Sequence, residues 1–257
     1  MSPLLEVHKL SRFFGGLRAV NDLSFTVSSG EIFGIIGPNG AGKSTAVNLV
    51  SGVTKPTSGK VRFQGADVTG QPPHKLVQYG LARTFQSTTV FGNCTVEENC
   101  RRGSYLARYP GFFHSFFSTA KAGEMRQASD SRVAEVLEWL DLNRVRNVRA
   151  ADLPYGAQKT LGMAISLMAW PKLLMLDEPV AGLSAAEADN VRDTIRKIRA
   201  EGISVVVIDH NMRFMAGLCD RILVLHHGQE LAHGLPQDVL SNQSVIEAYL
   251  GRRHVKT

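Results

Sequence analysis

Three cysteines in 257 residues, Cys94, Cys100 and Cys219, are too few, odd in number and wrongly spaced for a disulfide framework or a zinc centre. Free thiols in a reducing compartment are expected. No apolar run reaches the roughly 18 residues that a membrane helix needs, and the opening Met1-Ser2-Pro3-Leu4-Leu5-Glu6 lacks a basic region followed by an apolar stretch. Neither a membrane span nor a signal peptide is expected, and the chain is expected to stay in the cytoplasm. Repeats, low-complexity segments and long basic runs are missing as well. The net charge of +6 and the pI near 9.4 suit an anionic membrane face or a nucleic acid. The basic residues, however, fall into small groups (Arg101-Arg102, Arg144/Arg146/Arg149, Arg252-Arg253) that read as solvated surface rather than as a nucleic-acid arm.

What the chain does have is 44% hydrophobic residues, enough for a full α/β core in one large or two modest domains. Its most specific string is G-P-N-G-A-G-K-S-T, Gly37 to Thr45, directly after the apolar run Ile32-Phe33-Gly34-Ile35-Ile36. A strand, a glycine loop and a helix in that order hold the phosphates of a nucleotide. Gly37, Gly40 and Gly42 allow a turn tight enough for successive backbone N–H groups, those of Asn39 and Ala41 included, to form an anion nest. The helix starting near Lys43 adds its positive dipole end. The Lys43 ammonium can reach the β- and γ-phosphates, and the Ser44 hydroxyl is placed to ligate the Mg²⁺ between them. Pro38 and Thr45 complete the nucleotide-binding string.

The first stretch reads as strands over 4–8, 23–27, 32–36 and 61–64, separated by turn signals such as Ser29-Gly30. From about Thr95 to Asp152 the pattern turns helical, with Val133, Val136, Leu137 and Leu140 on one face. Leu173 to Leu176 and Val205 to Ile208 are short, fully apolar runs, as central strands of a covered parallel sheet would be. Between them Ser184 and Glu187 spell a capping box, Val191, Ile195 and Ile198 a buried stripe, and Gly202 a stop.

Asp177 and Glu178 follow the first of these runs, at the strand end where α/β sheets bind ligands. Asp177 can hold Mg²⁺ and Glu178 can orient, or take a proton from, the water that attacks the γ-phosphate. His210 emerges from the second run on the same edge and could donate to that phosphate, although a lone histidine at a strand end is usually only a satisfied polar group. Gln86 sits where the sheet region gives way to the helical one, and its amide could touch both metal and water.

In this order the pieces resemble the ATP-binding cassette ATPases over nearly the whole chain. Gln86 matches the family's Q-loop glutamine, Leu153 to Lys159 its signature segment, Asp177 and Glu178 its Walker B pair, Ala181-Gly182-Leu183-Ser184 its D-loop and His210 its switch histidine. Phe14 matches the aromatic that stacks on adenine, with Phe13 as a competitor. The signature departs from L-S-G-G-Q: Pro154 replaces the serine, Tyr155 the first glycine and Ala157 the glutamine. Tyr155, Gly156 and Gln158, at a helix expected to begin near Ala157, remain as the anion-binding part. The resemblance implies an α/β fold: a P-loop, RecA-like core with an N-terminal antiparallel β subdomain (1–94 and 153–257) and an inserted α-helical subdomain (95–152). It also implies two nucleotides sandwiched between two such chains.

Within that family the chain is most similar to ATP-binding subunits of bacterial branched-chain amino acid importers. The stretches that carry this are Phe14 to Val20, Gly80 to Gln86, the L-P-Y-G variant at Leu153 and the ending Ala248-Tyr249-Leu250-Gly251. Importers of urea, amides or aromatic acids look similar, and export or lipid-extraction ATPases share the ATP motifs. A soluble cassette acting on nucleic acid or ribosomes is the less favoured alternative, since such proteins usually carry two cassettes or a long coiled-coil insertion and neither is read in this sequence. The implied partners are a second cassette, two membrane permease subunits and an external solute-binding protein, with ATP and Mg²⁺ as ligands and no nucleic acid. The implied place is the cytoplasmic side of the bacterial inner membrane. The aromatic cluster Phe112-Phe113-His114-Ser115-Phe116-Phe117 invites a membrane-contact reading, over which buried packing of an inserted hairpin is preferred.

Overall fold

The computed structural model describes residues 3–84, 90–108 and 119–250. Gln86, the Phe112–Phe117 cluster, Gly251 and Arg252-Arg253 lie outside the described residues. Two sheets form. The antiparallel one has the order β2-β1-β4-β5, from β1 (Leu5–Phe14), β2 (Leu17–Val27), β4 (Ser58–Phe63) and β5 (Ala66–Asp67). The other has the order β10-β9-β3-β8-β7-β6. In it β3 (Ile32–Ile36), β6 (Leu81–Arg83), β7 (Leu173–Asp177), β8 (Ser204–Ile208) and β9 (Arg221–His226) run parallel, and β10 (Gln229–Gly234) lies antiparallel on β9. The helices in chain order are α1 (Lys43–Val50), α2 (Pro73–Tyr79), α3 (Val96–Arg108), α4 (Thr119–Trp139), α5 (Tyr155–Leu167), α6 (Ala185–Ala200), α7 (Met212–Ala216), α8 (Pro236–Leu240) and α9 (Gln243–Leu250).

The central strands are buried on both faces, so their sequence is continuously apolar while their side chains still alternate. Phe33 and Ile35, Leu173 and Met175, and Val206 and Ile208 face one core, which they share with β1, β2, β4 and the buried side of α1. Ile36, Leu174, Leu176, Val205 and Val207 face a second core with Leu161 and Ala164 of α5 and Val191, Ile195 and Ile198 of α6. Helix α1 thus lies between the two sheets. The helical stretch shares the second core through Val96 and Cys100 of α3, Val133, Val136 and Leu137 of α4, and Leu140 just beyond it. Each such side chain contributes roughly 1.5–3 kcal/mol when fully buried. A bridge between Thr95 and Arg149 brings the two ends of that stretch together.

β1 continues six residues past the expected end at His8. Lys9 sits at φ 45° and the pairing with β2 shifts between Val7 and Leu10, so an irregularity breaks the alternation without ending the strand. The amino-terminal edge of the parallel sheet is held by side chains. Arg221 Nε and Nη2 donate to Glu31 Oε1 and Oε2 at 2.6 and 3.0 Å, Asp220 Oδ2 accepts from Ile32 N at 2.8 Å, and Ser204 Oγ accepts from Gly30 N at 2.8 Å. Cys94, Cys100 and Cys219 are free thiols, and burial pushes Cys100 up to about 12, which keeps it unreactive.

Candidate functional site

The carboxyl ends of β3, β8 and β7 lie side by side, with Ile35 paired to Ile208 and Ile208 to Asp177. Topology therefore brings the glycine loop, His210 and the Asp177–Glu178 pair to one sheet edge.

The loop from Gly37 to Gly42 is shaped by what surrounds it. Gly42 has φ 100°, and a Cβ there would lie 2.4 Å from the Ala19 carbonyl oxygen of β2. At Gly37 a Cβ would lie 2.3 Å from the Leu225 carbonyl oxygen of β9. The turn after β9 closes the back of the loop, with Gly228 N donating to Ala41 O at 2.9 Å. Pro38, Asn39 and Gly40 complete the loop, Asn39 and Gly40 exposed; α1 then starts at Lys43, followed by exposed Ser44 and half-buried Thr45.

Lys43 is 8% exposed, and its Nζ donates to Gly37 O at 2.7 Å and Pro38 O at 3.1 Å, so the ammonium lies within the loop it serves. Burial lowers its pKa from the ordinary lysine value, while the negative charges of Glu178, Asp209 and Asp177 act the other way. Those three acids are thus electrostatic neighbours of the loop cation.

Asp177 is buried, and its Oδ2 accepts from Arg83 Nη2 at 2.8 Å. Glu178 is half-buried with φ 49°, a left-handed conformation that costs a non-glycine residue about 1–3 kcal/mol. Its N–H donates to Ile208 O at 2.8 Å, so the chain leaves β7 in a fixed turn and the two adjacent carboxylates have different settings. His210 is 59% exposed at the side chain, with Nδ1 3.7 Å from Asp209 Oδ1. Asp209 itself is fully buried; its Oδ1 accepts from Asn211 N at 2.9 Å, and its Oδ2 has no hydrogen-bond partner among the described residues.

The aromatic pair sits at the β1–β2 turn. Phe14 is 47% exposed and Phe13 36%, with the Arg12 guanidinium 4.6 Å from the Phe14 ring centre. The signature segment lies apart from the loop, at the start of α5. The helix begins at Tyr155, two residues before the expected Ala157, because Pro154 already serves as the N-cap residue. Tyr155 is exposed and packs beside Gly182, Gly156 beside Glu187, and Gln158 Nε2 donates to Leu153 O at 2.9 Å. The capping box of α6 forms as expected, Ser184 Oγ accepting from Glu187 N and Glu187 Oε2 from Ser184 N.

Sequence reasoning missed Arg83, Asp209 and the β9–β10 turn. Asp209 had a usable signal, an acid directly after an apolar strand; Arg83 had none.

A glycine phosphate cradle on a central parallel strand, with an acid pair at the end of a nearby strand, defines a P-loop nucleotide-binding ATPase. The ABC transporter family profile matches residues 20–181, and a second profile, branched-chain amino acid ATP-binding cassette transporter, matches residues 229–255. The high-affinity branched-chain amino acid transport ATP-binding protein BraF of Pseudomonas aeruginosa is 37% identical, over 97% of this chain and 98% of the relative. LivG of Escherichia coli is 36% identical over the same shares, and a probable LivG of Methanocaldococcus jannaschii is 31% identical over 96% and 97%. Among solved structures, a nucleotide-free ATP-binding cassette superposes with a TM-score of 0.85 at 30% identity, covering 97% of this chain and all of that one. A cassette in its ADP conformation gives 0.85 at 29% identity, covering 98% of this chain and 100% of the other. The chain belongs to the ATP-binding cassette transporter family and is an ATPase of that family. No helix among the described residues is long and apolar enough to cross a membrane.

Proposed function

We propose that the chain energises import of branched-chain amino acids, or of solutes close to them, as one of two cassettes under a pair of membrane permease subunits fed by an external solute-binding protein. Its place is the cytoplasmic face of a bacterial inner membrane. The observation that carries this is similarity along the whole chain to proteins named for that transport, joined by the separate match of the carboxyl-terminal region. Residues 95–152 act in this reading as an inserted helical subdomain that meets the permeases.

The roles follow from chemistry. Phe14 stacks on the base, and the N–H groups of residues 37–45 with the Lys43 ammonium hold the phosphates. Ser44 and Asp177 offer hard oxygen donors, the set that suits Mg²⁺. Bound there, Mg²⁺ would supply positive charge to offset the negative charge that develops on the phosphates. Glu178 accepts a proton from the water whose oxygen attacks the γ-phosphorus. The bond from that phosphorus to the bridging oxygen breaks, and ADP carries the electron pair away. His210 donates to the γ-phosphate, and Gln86 is assigned to metal and water by family resemblance alone. Tyr155 and Gly156, at the α5 N-terminus, face the γ-phosphate held by the second cassette, and Gln158 joins them once its amide leaves Leu153 O.

Glu178→Gln is expected to keep ATP binding, accumulate an ATP-bound dimer on size exclusion, and lower turnover by roughly 10²–10⁴-fold; ordinary turnover in that variant would remove Glu178 from the chemistry. The biological assignment is tested by purifying the complex from membranes and measuring uptake over a panel of amino acids, urea and amides. Permeases with a solute-binding protein support it, whereas ribosomes, nucleic acid or lipid-export components reject it.

A further inference from the structure

Arg83 ends β6, paired in register with Met175 of β7. Its guanidinium reaches two elements at once. Nη1 donates to Asn48 Oδ1 at 2.7 Å and Ser51 Oγ at 2.9 Å, while Nη2 donates to Asp177 Oδ2 at 2.8 Å. Asn48 is in the last turn of α1 and Ser51 is its C-cap, the same helix that begins with Lys43 and Ser44. Ser51 is itself fixed, its hydroxyl donating to Val47 O at 2.7 Å. Arg83 and Asp177 are 10% and 2% exposed at the side chain, so this is a desolvated, charge-assisted contact that fixes where Oδ2 of the carboxylate sits.

We propose that Arg83 is a positioning residue for Mg²⁺, locking the Asp177 carboxylate relative to the helix that carries Ser44 so that both oxygen donors meet the ion together. The inference rests on Ser44 and Asp177 being the metal ligands. One guanidinium bonds the carboxylate supplied by β7 and, through Asn48 and Ser51, the far end of the helix that supplies the hydroxyl. The carboxylate and the helix are thereby tied to one rigid group. Arg83 also balances part of the acidic cluster. Asp177, Glu178 and Asp209 all act on Lys43, and an Asp177 released from its fork is free to turn towards that ammonium and compete with phosphate for it. A single ammonium on a flexible stem would supply the charge but not the fixed fork that reaches Asp177 and α1 together.

The test is calorimetric binding of a non-hydrolysable ATP analogue to the full chain, once with Mg²⁺ and once with EDTA. The ratio of the two dissociation constants measures what the metal contributes. Asp177→Asn should collapse that ratio; a wild-type ratio of one, or an unchanged ratio in this variant, would remove the metal reading itself. With that control in place, Arg83→Gln is expected to lower the ratio about tenfold or more, the scale on which partners of metal ligands act, leaving the EDTA constant as in the wild type. Arg83→Lys should fall between. Asn48→Ala, which loosens the fork without touching Asp177, should lower the ratio less. If Arg83→Gln does not fold, Arg83→Lys and Asn48→Ala carry the measurement. Variants that melt earlier but keep the wild-type ratio, or that lose affinity equally with and without Mg²⁺, would show a structural brace only and overturn the proposal.

Discussion

Two helices in this chain begin at segments to which we assign phosphate binding, and they are built in opposite ways. At the start of α1 the loop is walled by β2 and by the β9–β10 turn, and its cation is 8% exposed within its own carbonyls. At the start of α5 the N-cap is Pro154, which makes no side-chain cap bond and brings no N–H, Tyr155 stands 48% exposed, and Gln158 is turned back onto Leu153. A helix terminus left in this state has backbone donors still to satisfy. The first start is furnished within one molecule; in the proposed assembly the second would be completed by a phosphate held on the partner cassette.

Changes that touch only one of the two starts can break this contrast. The largest effect is expected from Gly156→Asp. A carboxylate set against an incoming γ-phosphate should weaken ATP-driven dimerisation by about 10²-fold or more, since like charges at an interface cost several kcal/mol. Binding of ATP to the dilute monomer should stay unchanged; sedimentation velocity and fluorescent-nucleotide titration read the two separately, and a parallel loss of both would merge the sites. Lys43→Met should do the reverse, weakening monomer affinity about 10- to 100-fold, the worth of a charge-assisted hydrogen bond. The smallest effect belongs to Ser184→Ala, which removes the N-cap of α6 beside the α5 start and costs about 1 kcal/mol in denaturant unfolding. Hydrogen bonds from Ser184, side chain first and then backbone, hold the Glu187 carboxyl below the usual carboxylate range. A depressed folded pKa means that this contribution is complete above the unfolded value and disappears as pH falls through the folded one. The variant should therefore lose part of the acid limb of the stability profile.

The uneven legibility of these regions in the sequence has a physical basis. The phosphate loop, the buried strands and the α6 capping box were readable because local chemistry decides them: glycines where no Cβ fits, apolar runs where both faces are covered, an S-x-x-E at a helix start. β6 was not read as a strand, because it is three residues long and is defined by its neighbour β7 rather than by its own pattern. The start of α5 moved because proline fixes a backbone angle and periodicity does not report it. The left-handed Glu178 and the reach of Arg83 to Asn48, Ser51 and Asp177 depend on contacts 32 to 94 residues apart in the chain, or on a turn imposed by β8, and no spacing rule encodes them. The resemblance supplied the switch histidine, and the structure adds the buried acid behind it.

The Glu31–Arg221 fork, with Asp220 and Ser204 beside it, makes the parallel sheet a cantilever. One rim is riveted through charged and hydroxyl side chains, while the opposite rim carries an acid cluster on strand ends. β3, β8 and β9 therefore leave a fixed base, and the loops beyond their carboxyl ends inherit its register.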